Sequence, residues 1–296
     1  MNKARFRLQI QDILAQRLLD GRMAVFLGAG VSMGIGMPSW SQLIRNLYWT
    51  KRKRPPAGKD LAHAAERFLR IQCNDRYPEY LSLVRQALYR GVAIDFLTLH
   101  RSITIAAIAA LAMSSKRGSA QIYTLNYDDA VERYLSYHGY ICRPIFEERD
   151  ASMTADVHVF HPHGFIPSPG SQYTTLSKKI ILDRLSYSRA LGDIEDWWGR
   201  QMQGAMESHF CIFIGLSGQD QRFDALLVKA KERCGPASDG LPYWGVNLAA
   251  EPDSGLSGDW ESRDICVHDV RDFKHGLGEF LFAICQRAAQ ARMTLS

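Results

Sequence analysis

The stretch Met23-Ala-Val-Phe-Leu-Gly28-Ala-Gly30, running on through Val31-Ser-Met-Gly-Ile-Gly-Met-Pro-Ser-Trp40, decides the fold. Met23 to Leu27 are five apolar residues without polar alternation, too short for a helix. Such a run predicts a strand buried on both faces, as strands of parallel sheets are. Gly28 and Gly30 then predict a tight turn at its carboxyl end, with Ser39 and Ser41 as candidate caps of the helix that follows.

Working outward, similar runs recur at Gln121 to Leu125, Ile141 to Phe146, Asp156 to His161, Phe210 to Gly215, Tyr243 to Leu248 and Ile265 to Asp269. Helical patterns separate several of them: Asp128 to Tyr137, Ser186 to Ser208, Asp224 to Arg233 and Gly278 to Arg292. Strands alternating with helices call for a parallel sheet covered on both faces. The expectation is an α/β fold: a doubly wound, Rossmann-like parallel sheet of about six strands. From about Asp60 to Met113 the pattern is helical with no convincing strand, and the block near residues 41–120 predicts a helical subdomain inserted into that core. The chain is thus expected to form a single domain, residues 1–296. Ser168 to Gln172 and Pro252 to Asp259 read as surface loops.

Composition bounds the function. With 46% hydrophobic residues, 23% charged and a mean hydropathy of -0.20, the chain is of ordinary globular type. No apolar run approaches the ~20 residues of a membrane helix, and the N-terminal segment patterns as an amphipathic helix instead of a signal peptide. A soluble, cytoplasmic protein is expected. The net charge of +5 is only mildly basic. Its one dense run is Lys51-Arg52-Lys53-Arg54, either a solvated loop or a docking patch for an acidic partner or a nucleic acid. Direct nucleic-acid binding is the weakest expectation. The six cysteines contain no C-x-x-C, the closest pair being Cys266 and Cys285, which argues against a cysteine-rich zinc module. They read as small core residues in a reducing compartment.

The glycine turn carries chemistry when its spacing is weighed. Glycines let backbone N–H groups approach a phosphate. A dinucleotide fingerprint would need a third glycine at Met33, but Gly34 arrives one residue late, and no Gly-Lys-Ser/Thr ending marks a P-loop. Four further motifs lie at strand ends or just beyond: Thr124-Leu-Asn-Tyr-Asp128, His161-Pro-His-Gly164, Gly215-Leu-Ser-Gly-Gln-Asp220 and Tyr243-Trp-Gly-Val-Asn247. In a doubly wound sheet these ends line the ligand crevice, so the motifs converge on one site. The H-x-x-H-x-H of His158, His161 and His163 is also metal-ligand spacing, although Pro162 interrupts the strand.

The motif order Gly-Ala-Gly-x-Ser, Gly-x-Pro, Thr-x-Asn-x-Asp, His-Gly, Gly-x-Ser and a late Asn resembles the sirtuin-like NAD-binding family. Departures from its deacylases are the missing four-cysteine zinc module, Ser39-Trp40 after Gly36-Met37-Pro38, and Thr-Leu-Asn126 in place of Gln-Asn. In these respects the chain is similar to the sirtuin-like NAD hydrolases of bacterial anti-phage defence, of the Thoeris type. That resemblance implies cleavage of NAD into nicotinamide and ADP-ribose, with NAD as substrate and no metal. It implies Asn126 and His163 as the catalytic pair, with Asp128 orienting the asparagine loop or capping the helix after it. It places the pyrophosphate on Gly28, Ala29, Gly30 and Ser32, and the nicotinamide side against Pro38 and Trp40. Gly215, Ser217 and Asn247 would contact the phosphate or adenosine ribose, and Asp269 the adenine. Asp220 instead reads as a cap of the helix holding Asp224 to Arg233.

A freely active NAD hydrolase would kill its host. The expectation is therefore control by a separate regulatory protein, such as a nucleotide-binding protein or motor ATPase, or by assembly into a homo-oligomer or hetero-complex. The alternatives are a subunit that binds NAD or ADP-ribose without cleaving it, and a zinc-free protein deacylase.

Overall fold

The computed structural model describes residues 1–58, 60–114, 121–216, 220–234, 240–250 and 259–295. Strand β1 (Met23–Leu27) is buried at every position, as its uniform apolarity requires. It lies at the centre of a seven-stranded, wholly parallel sheet. The other strands are β2 (Gln121–Thr124), β3 (Cys142–Ile145), β4 (Val157–Phe160), β5 (Phe210–Ile214), β6 (Gly245–Ala249) and β7 (Ile265–Asp269). All seven apolar runs become strands, one more than the sheet of about six expected. Their spatial order is β3-β4-β2-β1-β5-β6-β7. The chain builds outward from β1 through β2 to one side, then returns to place β5 on the other. The switch point lies between β1 and β5, where Val25 pairs with both Ile122 and Ile212.

Alternate residues of each strand feed two separate cores, as strand geometry requires. Val25, Ile122, Val159, Ile212 and Val246 face one, while Phe26, Tyr123, Phe213 and Trp244 face the other. On the second face an aromatic ladder crosses the sheet. Phe26 stacks on Tyr123 at 5.0 Å and on Phe213 at 5.3 Å, and Tyr123 on Phe160 at 4.8 Å. These ring pairs add to burial the ~0.5–1.5 kcal/mol typical of aromatic contacts.

The N-terminal residues form α1 (Lys3–Leu8) and α2 (Ile10–Leu19), with Phe6, Ile10, Leu14 and Leu18 turned into the core. After β1 comes the short α3 (Ala29–Met33). Between it and β2 run α4 (Trp40–Thr50), α5 (Leu61–Gln72), α6 (Tyr77–Leu88), α7 (Phe96–His100) and α8 (Ile103–Ser114). No strand interrupts them among the described residues. Helices α4, α5 and α6 pack on one another, whereas the Ala-rich α8 lies against α2 and the last helix, α13 (Gly276–Leu295). Ser39 starts α4 through a capping box with Gln42.

Helix α9 (Ala130–Tyr137) follows β2. The helical stretch expected over Ser186 to Ser208 is two helices, α10 (Arg184–Gly192) and α11 (Trp197–Ser208). Asp196 causes the break: its carboxylate accepts the Gly199 N–H at 2.7 Å and starts a new helix. α12 (Gln221–Cys234) follows β5. Ser168, expected in a surface loop, is buried because its N–H and hydroxyl both donate to the Asp129 carboxylate. Of the Pro252 to Asp259 loop only Asp259 lies within the described residues. No described helix is long and apolar enough to cross a membrane. Cys73, Cys142, Cys211, Cys266 and Cys285 are unbridged thiols, the first four buried, and burial raises the pKa of Cys73 and Cys142.

Candidate functional site

At the switch point the turns after β1 and β5 interlock. Gly28 N–H donates to Ile214 O at 2.8 Å, and Gly30 N–H to Gly215 O at 3.1 Å. A Cβ on Gly28 would sit 2.5 Å from Gly215 O, and one on Gly30 2.8 Å from Gly215 Cα. Close approach of two backbones is what these glycines permit. Two of the three amides expected to cradle a phosphate are therefore already engaged, and only the Ala29 N–H has no acceptor among the described residues. Gly215 itself has φ +68° and would place a Cβ 2.8 Å from Val31 N. Gly215→Ala is accordingly expected to destabilise the fold by about 2–4 kcal/mol, combining left-handed strain with overpacking. Chemical denaturation measures it, and an unchanged midpoint would contradict the interlock.

A cavity of about 610 Å³ opens beside this crossing, under α4 and α10. Gly28, Ala29, Gly30, Ser32, Pro38, Trp40, Asn126, Asp128, His163, Gly215 and Asn247 all line it, so eleven of the thirteen expected site residues come together. Ser217 lies outside the described residues. Asp269 is at the exposed end of β7, where its carboxylate accepts the Arg271 N–H at 2.7 Å, and it does not line the cavity.

Asn126 follows β2, and its orientation is fixed by what its amide nitrogen touches. Nδ2 donates to Gly28 O at 2.9 Å and to Ser32 Oγ at 3.0 Å, engaging both hydrogens. Oδ1 accepts nothing from the described residues, which leaves it as an acceptor in the cavity. Behind Ser32 stands Asp128, which also accepts the Ala130 N–H at 3.2 Å. Burial pushes the Asp128 carboxyl up to about 6, opposed by Ser32 and the Ala130 N–H and reinforced by Asp129 and Glu132. Asp128 thus both meets the start of α9 and supports the serine that orients Asn126.

His163 lies beyond β4, buried, with Nε2 3.4 Å from Asp220 Oδ2. Burial lowers its pKa below the ordinary 6.5, with Arg222 adding to the effect and Asp220 opposing it, so the ring is neutral near pH 7. Asp220 caps α12 as expected, accepting the Phe223 N–H on Oδ1 at 2.8 Å. Its other oxygen has a second task that sequence reasoning missed: it faces His163 and accepts the Tyr187 hydroxyl at 3.0 Å. Tyr187, from α10, also packs edge-on against His163 at 5.9 Å and beside Trp40 at 5.9 Å. No sequence signal marked Tyr187, which lies far from every motif on a helix without a strong apolar face.

The three motif histidines do not converge. His158 Nε2 meets Met153 O at 2.7 Å, and His161 bridges Asn126 O and the buried Glu132 carboxylate at 3.1 and 2.5 Å. With its amide turned to pair both ends, Asn247 on β6 donates to Phe213 O and accepts the Trp260 indole N–H, each at 3.2 Å.

Residues 120–260 match the SIR2-like domain. The matched segment contains four of the five motifs, including Asn126, Asp128, His163, Gly215 and Asn247, but not the Gly28–Gly30 turn or the α4–α8 helices. A solved structure described as the crystal structure of a Sir2 homolog–NAD complex aligns over 96% of this chain and 94% of its own, at 16% identity and a TM-score of 0.47. No curated protein matches the chain.

Proposed function

We propose that this protein is an NAD glycohydrolase that cleaves the nicotinamide–ribose bond, serving as the NAD-depleting effector of an anti-phage defence system. One observation carries the reading. Asn126 presents an oriented acceptor, and His163 a buried neutral imidazole, to a single cavity at the switch point of a parallel sheet. NAD fits the chemistry of that cavity. The described lining residues include Asp128 and Asp220 but no Lys or Arg, which suits a cationic pyridinium and the oxocarbenium ion that follows it.

In the proposed reaction the glycosidic C–N bond breaks and its electron pair passes to the nicotinamide nitrogen, neutralising the ring. No general acid is needed for that departure. Asn126 Oδ1 accepts a hydrogen bond from a ribose hydroxyl or from the attacking water, fixing its position. Water adds to the ribose C1′ and gives its proton to His163, which Asp220 stabilises once charged. The products are nicotinamide, ADP-ribose and a proton. In this reading the Ala29 N–H meets the pyrophosphate, Pro38 and Trp40 the nicotinamide, and Asn247 the adenosine ribose, all four residues lining the cavity.

The proposal includes control by a separate protein or by assembly in the cytoplasm, where an unregulated enzyme would exhaust the NAD pool. It also takes residues 1–296 as one domain with 41–120 as its helical insertion. Nicotinamide release from NAD, alone and with a co-expressed neighbouring protein, tests the activity. Tight NAD binding without product under every condition would favour a binding subunit instead.

A pH dependence follows from Asp128. Below about 6 its carboxyl is protonated and no longer supports Ser32 as a carboxylate. Turnover is expected to fall between pH 7 and 5 with a midpoint near 6, and Asp128→Asn to remove that midpoint. Stability runs the other way for this group. A carboxyl raised from 3.8 to about 6 stabilises the fold most at low pH, and up to about 3 kcal/mol is lost as pH rises through about 6. The melting temperature of Asp128→Asn relative to wild type should therefore rise between pH 4 and pH 8; a constant difference would contradict the assignment.

A further inference from the structure

A second concavity, of about 190 Å³, lies on the helical insertion and shares no residue with the first. Lys53 and Arg54 come to it from the α4–α5 loop, Arg67 and Gln72 from α5, and Tyr48 from α4. The basic run is thus not a uniform solvated loop. Lys51 is held by Glu79 at 2.8 Å, and Arg52 turns the chain with φ +55°. Lys53 and Arg54 are left to meet Arg67 across the cavity. No carboxylate pairs with these three cations among the described residues. The Tyr48 hydroxyl is already committed to Ala64 O at 3.0 Å.

Charge is partitioned in the same direction. Residues 41–120 hold 14 Lys and Arg against 5 Asp and Glu, a net of +9, whereas the whole chain is +5. The remainder of the protein is therefore net negative, and the insertion carries all of the surplus. Like charges gathered without counter-charges around a concave surface destabilise the unliganded protein, and a bound anion relieves that repulsion. Two guanidinium groups, an ammonium and an amide approaching from separate elements can donate to a tetrahedral oxyanion from several directions.

From this we infer that the cavity between the α4–α5 loop and α5 is a binding site for the phosphoryl group of a small phosphorylated ligand. The site is independent of the chemistry proposed at the switch point.

Inorganic pyrophosphate, titrated calorimetrically into the full-length protein, is the probe. The wild type should bind it with an affinity that falls as salt is raised, and Arg54→Ala/Arg67→Ala should weaken binding about tenfold or more. The charge reversal Arg54→Glu should do the same. Neither variant should change NAD affinity, since both arginines are exposed and lie outside the first cavity, and with the repulsion relieved neither should melt below the wild type without ligand. Equal pyrophosphate affinity in wild type and variants, or none in wild type, would overturn the inference. So would tighter binding of a dephosphorylated single-stranded oligonucleotide through the same arginines, which would mark a polyanion-binding surface instead. Failure of NAD to bind or react would count against the glycohydrolase alone, because dependence on Arg54 and Arg67 reads only the second cavity.

Discussion

Asn126→Ala is expected to bind NAD within a few-fold of the wild type and to release nicotinamide about 10²–10³-fold more slowly, the usual loss when an oriented polar contact to a developing charge is removed. Its Nδ2 reaches Gly28 O and Ser32 Oγ, so the side chain is pre-positioned before any ligand arrives. The orienting contacts also set a sharper test than truncation. Asn126→Asp retains an acceptor of nearly the same size but turns a second oxygen towards the Gly28 carbonyl, where only a donor fits. It should fail to rescue. An aspartate variant with wild-type turnover would show that the oriented amide is not what the reaction uses. Calorimetric NAD binding and chromatographic detection of nicotinamide, on the same preparations, separate loss of affinity from loss of chemistry.

His163→Ala is the second large effect, expected at about 10²–10⁴-fold in turnover, the range for removing a positioned general base. The ring is buried and its pKa is lowered, so it is neutral and able to accept a proton at pH 7. Asp220 distinguishes a base from a packing residue. Asp220→Asn should keep the α12 cap through its remaining side-chain oxygen, while removing the charge that stabilises the protonated imidazole. Turnover should fall less than in His163→Ala, and the pH dependence attributable to His163 should move to lower pH. A purely structural His163 would give no such shift with Asp220→Asn. Stability has its own sign: a lowered histidine pKa favours folding fully above 6.5, and that contribution is lost as pH falls below it.

How much of this was legible in sequence depended on whether the signal was local. The strand β1 and the turn after it were, because five apolar residues ending in Gly-Ala-Gly admit few other conformations. Asn126, Asp128 and His163 were, because each follows a strand and the ends of parallel strands converge. What the glycines do was not. Only the β1–β5 register reveals that Gly28 and Gly30 face Gly215 and donate to its neighbourhood, which removes two of the expected phosphate donors. Tyr187 and the second oxygen of Asp220 stayed hidden for a related reason. They reach His163 from α10 and the start of α12, brought together by packing rather than by any spacing in the chain. The single helix expected over Ser186 to Ser208 failed at Asp196, whose carboxylate starts a new helix. The basic run changed meaning because Arg67, more than a dozen residues away, faces it across a cavity.

The most direct test of the central claim is nicotinamide release from NAD by the wild type and by Asn126→Ala, each with and without the co-expressed neighbouring protein. Both proteins should bind NAD, and only the wild type should convert it to nicotinamide and ADP-ribose. Equal turnover by the two proteins, or NAD left intact by a wild type that binds it under every condition, would contradict the account.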